Sequence, residues 1–179
     1  NTALQNAPCL QVLFDRSLRL DATAVERQLR SYHPALKGAR LEVSPGLAEK
    51  GQWLGLAGWG KHVIRLVGFD FQMPADAVES CVGPSHYAEK FKEQARAHRS
   101  HLLLYYAGTE ESTLEQYVAL AVLAGALSRF GAIMALNESA HTSFPAEALS
   151  GANTDGDVLE LLRTLPLLML YCGFVKYDV

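Results

Sequence analysis

Hydrophobic positions along this chain recur with two different periods, and the changes of period divide it into strands and helices. Residues 9–15, CLQVLFD, are a short apolar run closed by an acidic turn signal, which predicts a strand. In DATAVERQLRSYH, Ala24, Val25, Leu29 and Tyr32 fall on one face at helical spacing, and Asp21 stands where an N-cap takes up free amides. Residues 39–44, ARLEVS, alternate as a half-buried strand does, until Pro45 and Gly46 break the pattern. Residues 53–57 read as extended and residues 62–71 as a strand rich in Val, Ile and Phe. Gly58, Trp59 and Gly60 supply turn chemistry between them, and Met73 with Pro74 ends the second strand.

The second half is more helical. Residues 75–83 predict a short helix. SHYAEKFKEQARAHRS predicts a better one, with Ser85 as N-cap and Tyr87, Phe91 and Ala95 four apart on one stripe. HLLLYYAG is a buried strand ending at Gly108, in which Tyr105 and Tyr106 face opposite ways. The strongest signal is ESTLEQYVALAVLAGALSRFG: Ser112 and Glu115 have capping-box spacing, and Gly131 is a C-cap. This helix is apolar on nearly every side, so it must be covered on several sides. AIMALN is a further strand, and residues 142–153 read as a loop. DGDVLELLRTL opens a last helix that Pro166 ends or kinks. The remainder, LLMLYCGFVKYDV, reads as a closing strand or as a kinked helix plus tail.

The order β-α-β-β-β-α-α-β-α-β-α-β predicts one α+β domain over residues 1–179, with a mixed or mostly antiparallel sheet and helices packed on one face. A chain of 179 residues buries enough surface to fold without disulfides or metals. Cys9, Cys81 and Cys172 are odd in number and share no metal or redox spacing. They read as three free, mostly buried thiols in a reducing cytoplasm. No secretory signal is visible, although a chain starting at Asn1 leaves room for a removed leader. The longest apolar runs, at 117–127 and 165–175, are well under the roughly 20 residues a membrane helix needs, so both read as core and no membrane is implied. A net charge of −3 removes the electrostatic case for nucleic acid.

Composition excludes classes but assigns no chemistry, so motifs must be weighed individually. GLAGWGKH contains G-x-x-x-x-G-K, the opening of a phosphate-binding loop, but His62 stands where that loop needs a hydroxyl. The following VIRLVGFDF is β-branched, so no helix N-terminus would face a phosphate, and a hairpin is expected. Lys90, Lys92, Arg96 and Arg99 interleave with Glu89 and Glu93, as on a solvated helix face. His98 and His101 are three apart but lack further ligands, so no metal site is expected. NTDGD fails calcium-loop spacing, and Asp155 or Asp157 reads as a helix cap. No cofactor motif is present. Glu138 and His141, just past a strand end, are a candidate acid–base pair, with His98, His101, His86 or Glu79 as groups that folding could bring near.

Trp59 at the hairpin tip either folds back over the sheet or faces a partner. With Trp53, Lys61 and His62 it forms the candidate partner-binding set.

Three segments, LVGFDFQMP, HRSHLLLYYAG and YVALAVLAGALSRFGAIMALN, follow an order of features that resembles the bacterial family called domain of unknown function 4261. The likeness runs from Leu66 to Asn137, under half of the chain. It implies a cytosolic bacterial α+β protein of unassigned activity, and it supplies no catalytic residues.

The leading expectation is a non-enzymatic binding protein acting through a protein–protein surface. Its concrete form is a bacterial immunity protein that neutralises a toxin by covering its active site. The alternative is a small hydrolase or transferase using Glu138 and His141 with a histidine from segment 86–101. Geometry separates the two. An enzyme needs these side chains to converge in a pocket, whereas a binding protein needs an exposed apolar or aromatic patch.

Overall fold

The strands pair as one antiparallel sheet, seen in a computed structural model that describes residues 7–44, 52–151, 156–164 and 167–172. Its seven strands among the described residues are β1 (Cys9–Phe14), β2 (Arg40–Val43), β3 (Gln52–Trp59), β4 (His62–Phe69), β5 (Ser100–Tyr106), β6 (Ala132–Asn137) and β7 (Thr142–Pro145). They lie in the order β2–β3–β4–β5–β1–β6–β7, and every neighbouring pair is antiparallel. The helices are α1 (Ala22–Tyr32), α2 (Ala75–Val82), α3 (Glu89–Arg96), α4 (Thr113–Leu127), α5 (Val158–Leu162) and α6 (Leu168–Cys172). The expected α+β class and antiparallel sheet are therefore what the chain forms. The break at 45–46, the loop end at 152–153, the cap at Asp155, the stop at Pro166 and the tail after Cys172 lie outside the described residues.

Local signals locate most helix ends. Asp21 accepts from the amides of Thr23 and Ala24 at 2.9 and 3.1 Å. Ser112 accepts from the Glu115 amide at 3.4 Å, and Asp157 accepts from Leu159 at 2.7 Å. Gly131 stops the turn after α4 with φ 94°. Ser85 is a correction: α3 starts only at Glu89, after Ala88, because the Ser85 hydroxyl is engaged with the last turn of α2. The expected loop after residue 142 begins instead as β7. Four residues are too few for an alternation to be read, and Pro145 sits on an edge strand, where a missing N–H is tolerated.

Helix α4 organises the main core. All ten residues from Val118 to Leu127 are buried. One side lies on the sheet face made by Leu10, Val12, Phe14, Ile64, Leu66, Leu102 and Leu104, each 1% exposed or less. The other sides are covered by α1, α5 and the 3-10 turn Ala146–Ser150. A fully buried Leu or Val contributes about 1.5–3 kcal/mol, so this layer dominates stability. Gly125 is the closest point of approach: a Cβ there would lie 2.3 Å from the Leu149 carbonyl oxygen. Arg163 ties α5 to α4 through a two-pronged pair with Glu115 at 2.7 and 2.9 Å.

The expectation of helices on one face only is corrected: α2 and α3 form a smaller second layer on the opposite face, where Leu13, alternating with Val12 and Phe14, points. These helices bury Leu13, Met134 and Leu136 beneath Met73, Val78, Cys81, Val82 and Ala95. Arg96 joins the two helices, gripping Glu79 at 2.8 and 3.0 Å and Glu89 at 2.6 Å. This layer covers the β1–β6–β7 end only. Among the described residues, no helix is long and apolar enough to cross a membrane.

In an exposed helix, Gly→Ala gains up to about 1 kcal/mol. Gly125→Ala should reverse that sign and lower unfolding free energy by about 1–3 kcal/mol, because the methyl meets backbone rather than a movable side chain. Urea unfolding of the variant against the parent measures it.

Candidate functional site

The segment that resembles a phosphate loop is a tight hairpin. Trp59 pairs with His62 across a two-residue loop, in which Gly60 has φ 54°. A first-position glycine is the residue such a loop favours. The chain is extended after Lys61, so no row of helix amides faces an anion.

At this end of the sheet the His62 ring lies 5.7 Å from Trp59 and 5.9 Å from Tyr106. The Tyr106 hydroxyl accepts from the Glu110 amide at 3.3 Å and lies 3.0 Å from His62 Nδ1. Burial holds His62 below its ordinary pKa, against the pull of Glu110 and Glu115. Trp59 is therefore folded back on the core. Trp53 is a correction to the partner-binding set. Strand alternation turns it inward beside Ala57, and at 6% exposed it is out of a partner's reach. Of the four residues, Lys61 is the exposed one, about 4.0 Å from Glu110.

The candidate acid–base residues do not converge. His98 is 1% exposed, accepts the Met73 amide at Nε2 (2.8 Å) and donates from Nδ1 to the Ala95 carbonyl (2.7 Å). Both nitrogens are engaged by backbone, which fixes the neutral ring and leaves no lone pair for a metal. His101 is 5% exposed, donates to the Phe71 carbonyl at 2.8 Å and stacks on Phe69 at 5.1 Å. Burial lowers the pKa of both rings. Glu138 is exposed, and its amide donates to Gln11 Oε1 at 3.2 Å. The His141 amide donates to the Glu138 carbonyl at 3.3 Å, a backbone contact that closes the turn. Among the described residues no side-chain hydrogen bond joins Glu138 to any of these histidines or to His141, and no group of three metal-ligating side chains is present.

The thiols offer no nucleophile in the sheet. Cys81 is buried, Cys9 half-buried and Cys172, against expectation, exposed at the end of the short helix α6. Burial, with the charge of Glu138 adding, pushes the Cys9 thiol up to about 12, so it is not a thiolate at neutral pH.

Two surfaces remain. The first is the half of the sheet that α2 and α3 leave open. Leu54 faces Val67 and then Leu103, and Leu56 faces Arg65 and then Tyr105, across β3, β4 and β5. Leu54, Leu56 and Val63 are 38%, 46% and 37% exposed, and Phe71 beyond β4 is 58% exposed. Cross-strand neighbours on one face lie about 5 Å apart, so Leu54, Val67 and Leu103 make an apolar row, beside a row in which Leu56 stands between Glu42 and Arg65. Arg40 and Arg65 stand on this face with no salt bridge among the described residues.

The second is a cleft of about 860 Å³ between the α2–α3 connection, β7 and α6. His86 and His141 line it, with Ser85, Tyr87 and Ser143 on one wall. His141 is held at φ 51°, a left-handed conformation uncommon outside glycine. Asn137 donates to the carbonyls of Leu170 and Tyr171 at 2.9 and 3.3 Å, and Thr142 donates to Leu170 at 3.0 Å, so α6 is docked as the far wall. Sequence reasoning missed Asn137 and Ser143. The available signal was a polar residue closing the apolar strand AIMALN.

No family model, curated protein or solved structure matches this chain, so these two surfaces are read from their own geometry.

Neutral rings at His62, His98 and His101 have a consequence for stability. The unfolded chain takes up protons at these positions near pH 6.5, before the folded chain does. Stability should therefore be full above about pH 7 and fall as pH drops through 6.5, by up to about 1.4 kcal/mol per pH unit for each of His98 and His101. The lowered carboxylates Glu110 and Glu115 act only below their ordinary 4.5, outside this window. Urea midpoints at pH 7.5 and 5.5 measure the effect, and equal midpoints would contradict neutral buried rings.

Proposed function

We infer that this protein binds another protein through the open half of its sheet, with no reaction of its own. The observation that carries this reading is the exposure of Leu54, Leu56 and Val63 on one strand-paired surface. Single exposed apolar side chains are ordinary, but a contiguous set on a sheet face exposes area that a partner can bury. Arg65 and Glu42 flank Leu56 on this surface, so the fitting partner presents apolar side chains with a carboxylate placed for Arg65 and a cation for Glu42.

In its concrete form this is an immunity-type protein that covers a toxin's active site. Such a role needs shape and a few anchors rather than a catalytic constellation. Three cysteines without a disulfide suit a reducing, cytoplasmic setting. The likeness to domain of unknown function 4261 suits a bacterial origin.

The enzyme alternative has less support: His98 and His101 bond backbone, while Glu138 and His141 are joined through backbone atoms and share no side-chain hydrogen bond among the described residues.

The test is a double substitution, Leu54→Lys with Leu56→Lys. Both side chains already face solvent, so folding should be unchanged by circular dichroism. Tagged parent expressed in its native cells should retain a stoichiometric protein partner, and the double variant should retain less than about a tenth as much. Equal retention by both would place the contact elsewhere and defeat the proposal.

A further inference from the structure

The cleft beside α6 has a polar wall whose hydrogen bonds can be counted. The Cys81 carbonyl, in the last turn of α2, accepts from Ser143 Oγ at 2.9 Å and from Ser85 Oγ at 3.1 Å. Tyr87 OH lies 2.7 Å from Ser143 Oγ, and the two serine oxygens are 2.9 Å apart. A hydroxyl has one proton and two lone pairs. Ser143 directs its proton at the carbonyl, so the Tyr87 proton goes to Ser143 and the Ser85 proton is shared between the carbonyl and Ser143. All three protons are then used inside the cluster. What remains toward the cleft is acceptor capacity, on the oxygens of Tyr87 and Ser85.

The remaining lining is mainly apolar, with Pro84, Phe144, Pro145, Ala148, Met169 and Leu170, and adds Thr142 and the imidazoles of His86 and His141. No Lys or Arg lines the space. A volume of about 860 Å³ lies within the range of small-molecule sites, which combine apolar walls with a few convergent polar groups. We propose that this cleft binds a neutral amphiphilic small molecule, its aliphatic or aromatic body against Phe144, Met169 and Leu170 and a terminal O–H or N–H donated to the Ser85–Tyr87–Ser143 cluster. The site is separate from the open sheet face and independent of the protein-binding role.

The probes are 1-octanol, its methyl ether and octanoate, titrated into the intact chain while backbone amide NMR shifts are followed. They share a tail and differ in the end group: a donor, an acceptor without a proton, and an anion. Octanol should saturate with shifts centred on Phe144, Ala148 and Leu170. The ether should bind about tenfold more weakly, the cost of one hydrogen bond left unmade in an apolar site, and octanoate no more tightly than the ether. Tyr87→Phe removes an acceptor and should bring octanol down to the affinity of the ether while leaving the ether unchanged. Should that variant fail to fold, Ser85→Ala carries the same expectation. Ala148→Trp, at an exposed position, should block all three probes.

Equal affinity for octanol and ether in the parent would overturn the proposal, as would shifts centred on Leu54 and Leu56. Saturation seen only after residues 173–179 are removed would make the chain's own end the occupant and overturn it as well.

Discussion

Burial of α4 is the constraint on which the rest of the structure depends. Its ten successive buried residues leave no side that water can face, so cover must come from all around. The sheet supplies one side, and α1, α5 and the Ala146–Ser150 turn supply the others. Gly125 allows that turn to reach the helix backbone, and the Tyr32 hydroxyl donates to the same Leu149 carbonyl. Segments far apart in the chain are thereby drawn to one face of the sheet.

The opposite face has fewer elements to cover it. α2 and α3 are eight residues each, clamped to one another by Arg96 and held at their ends by the neutral ring of His98. They close the β1–β6–β7 end and stop there. What they leave is the sheet surface around Leu54 and Leu56, and at their far margin the cleft bounded by α6. Both candidate surfaces are products of one packing asymmetry. The same asymmetry explains why the histidines carry no shared chemistry: His98 and His101 bond separate backbone carbonyls, at Ala95 and Phe71.

Much of the fold was legible because its signals are local. A cap acts within three residues, as Asp21 and Ser112 do, and the hairpin followed from His62 replacing a hydroxyl ahead of a β-branched run. Ser85 shows where locality fails: a serine before a helical stripe is a good cap, but here the Cys81 carbonyl and Ser143 compete for its hydroxyl. The candidate surfaces were less legible. Trp53 and Leu54 are neighbours in sequence, yet one is core and the other faces solvent.

By itself the sequence determined the α+β class, the hairpin at Gly60 and the need to surround α4, because period, turn chemistry and apolar content act over a few residues. Only the tertiary structure decided which sheet face stays open, which histidines are engaged by backbone, and that Ser85, Tyr87 and Ser143 meet. Those outcomes depend on strand order and helix placement, which bring together residues such as Met73 and His98, 25 positions apart, and Ser85 and Ser143, 58 apart, ranges at which no local pattern carries information.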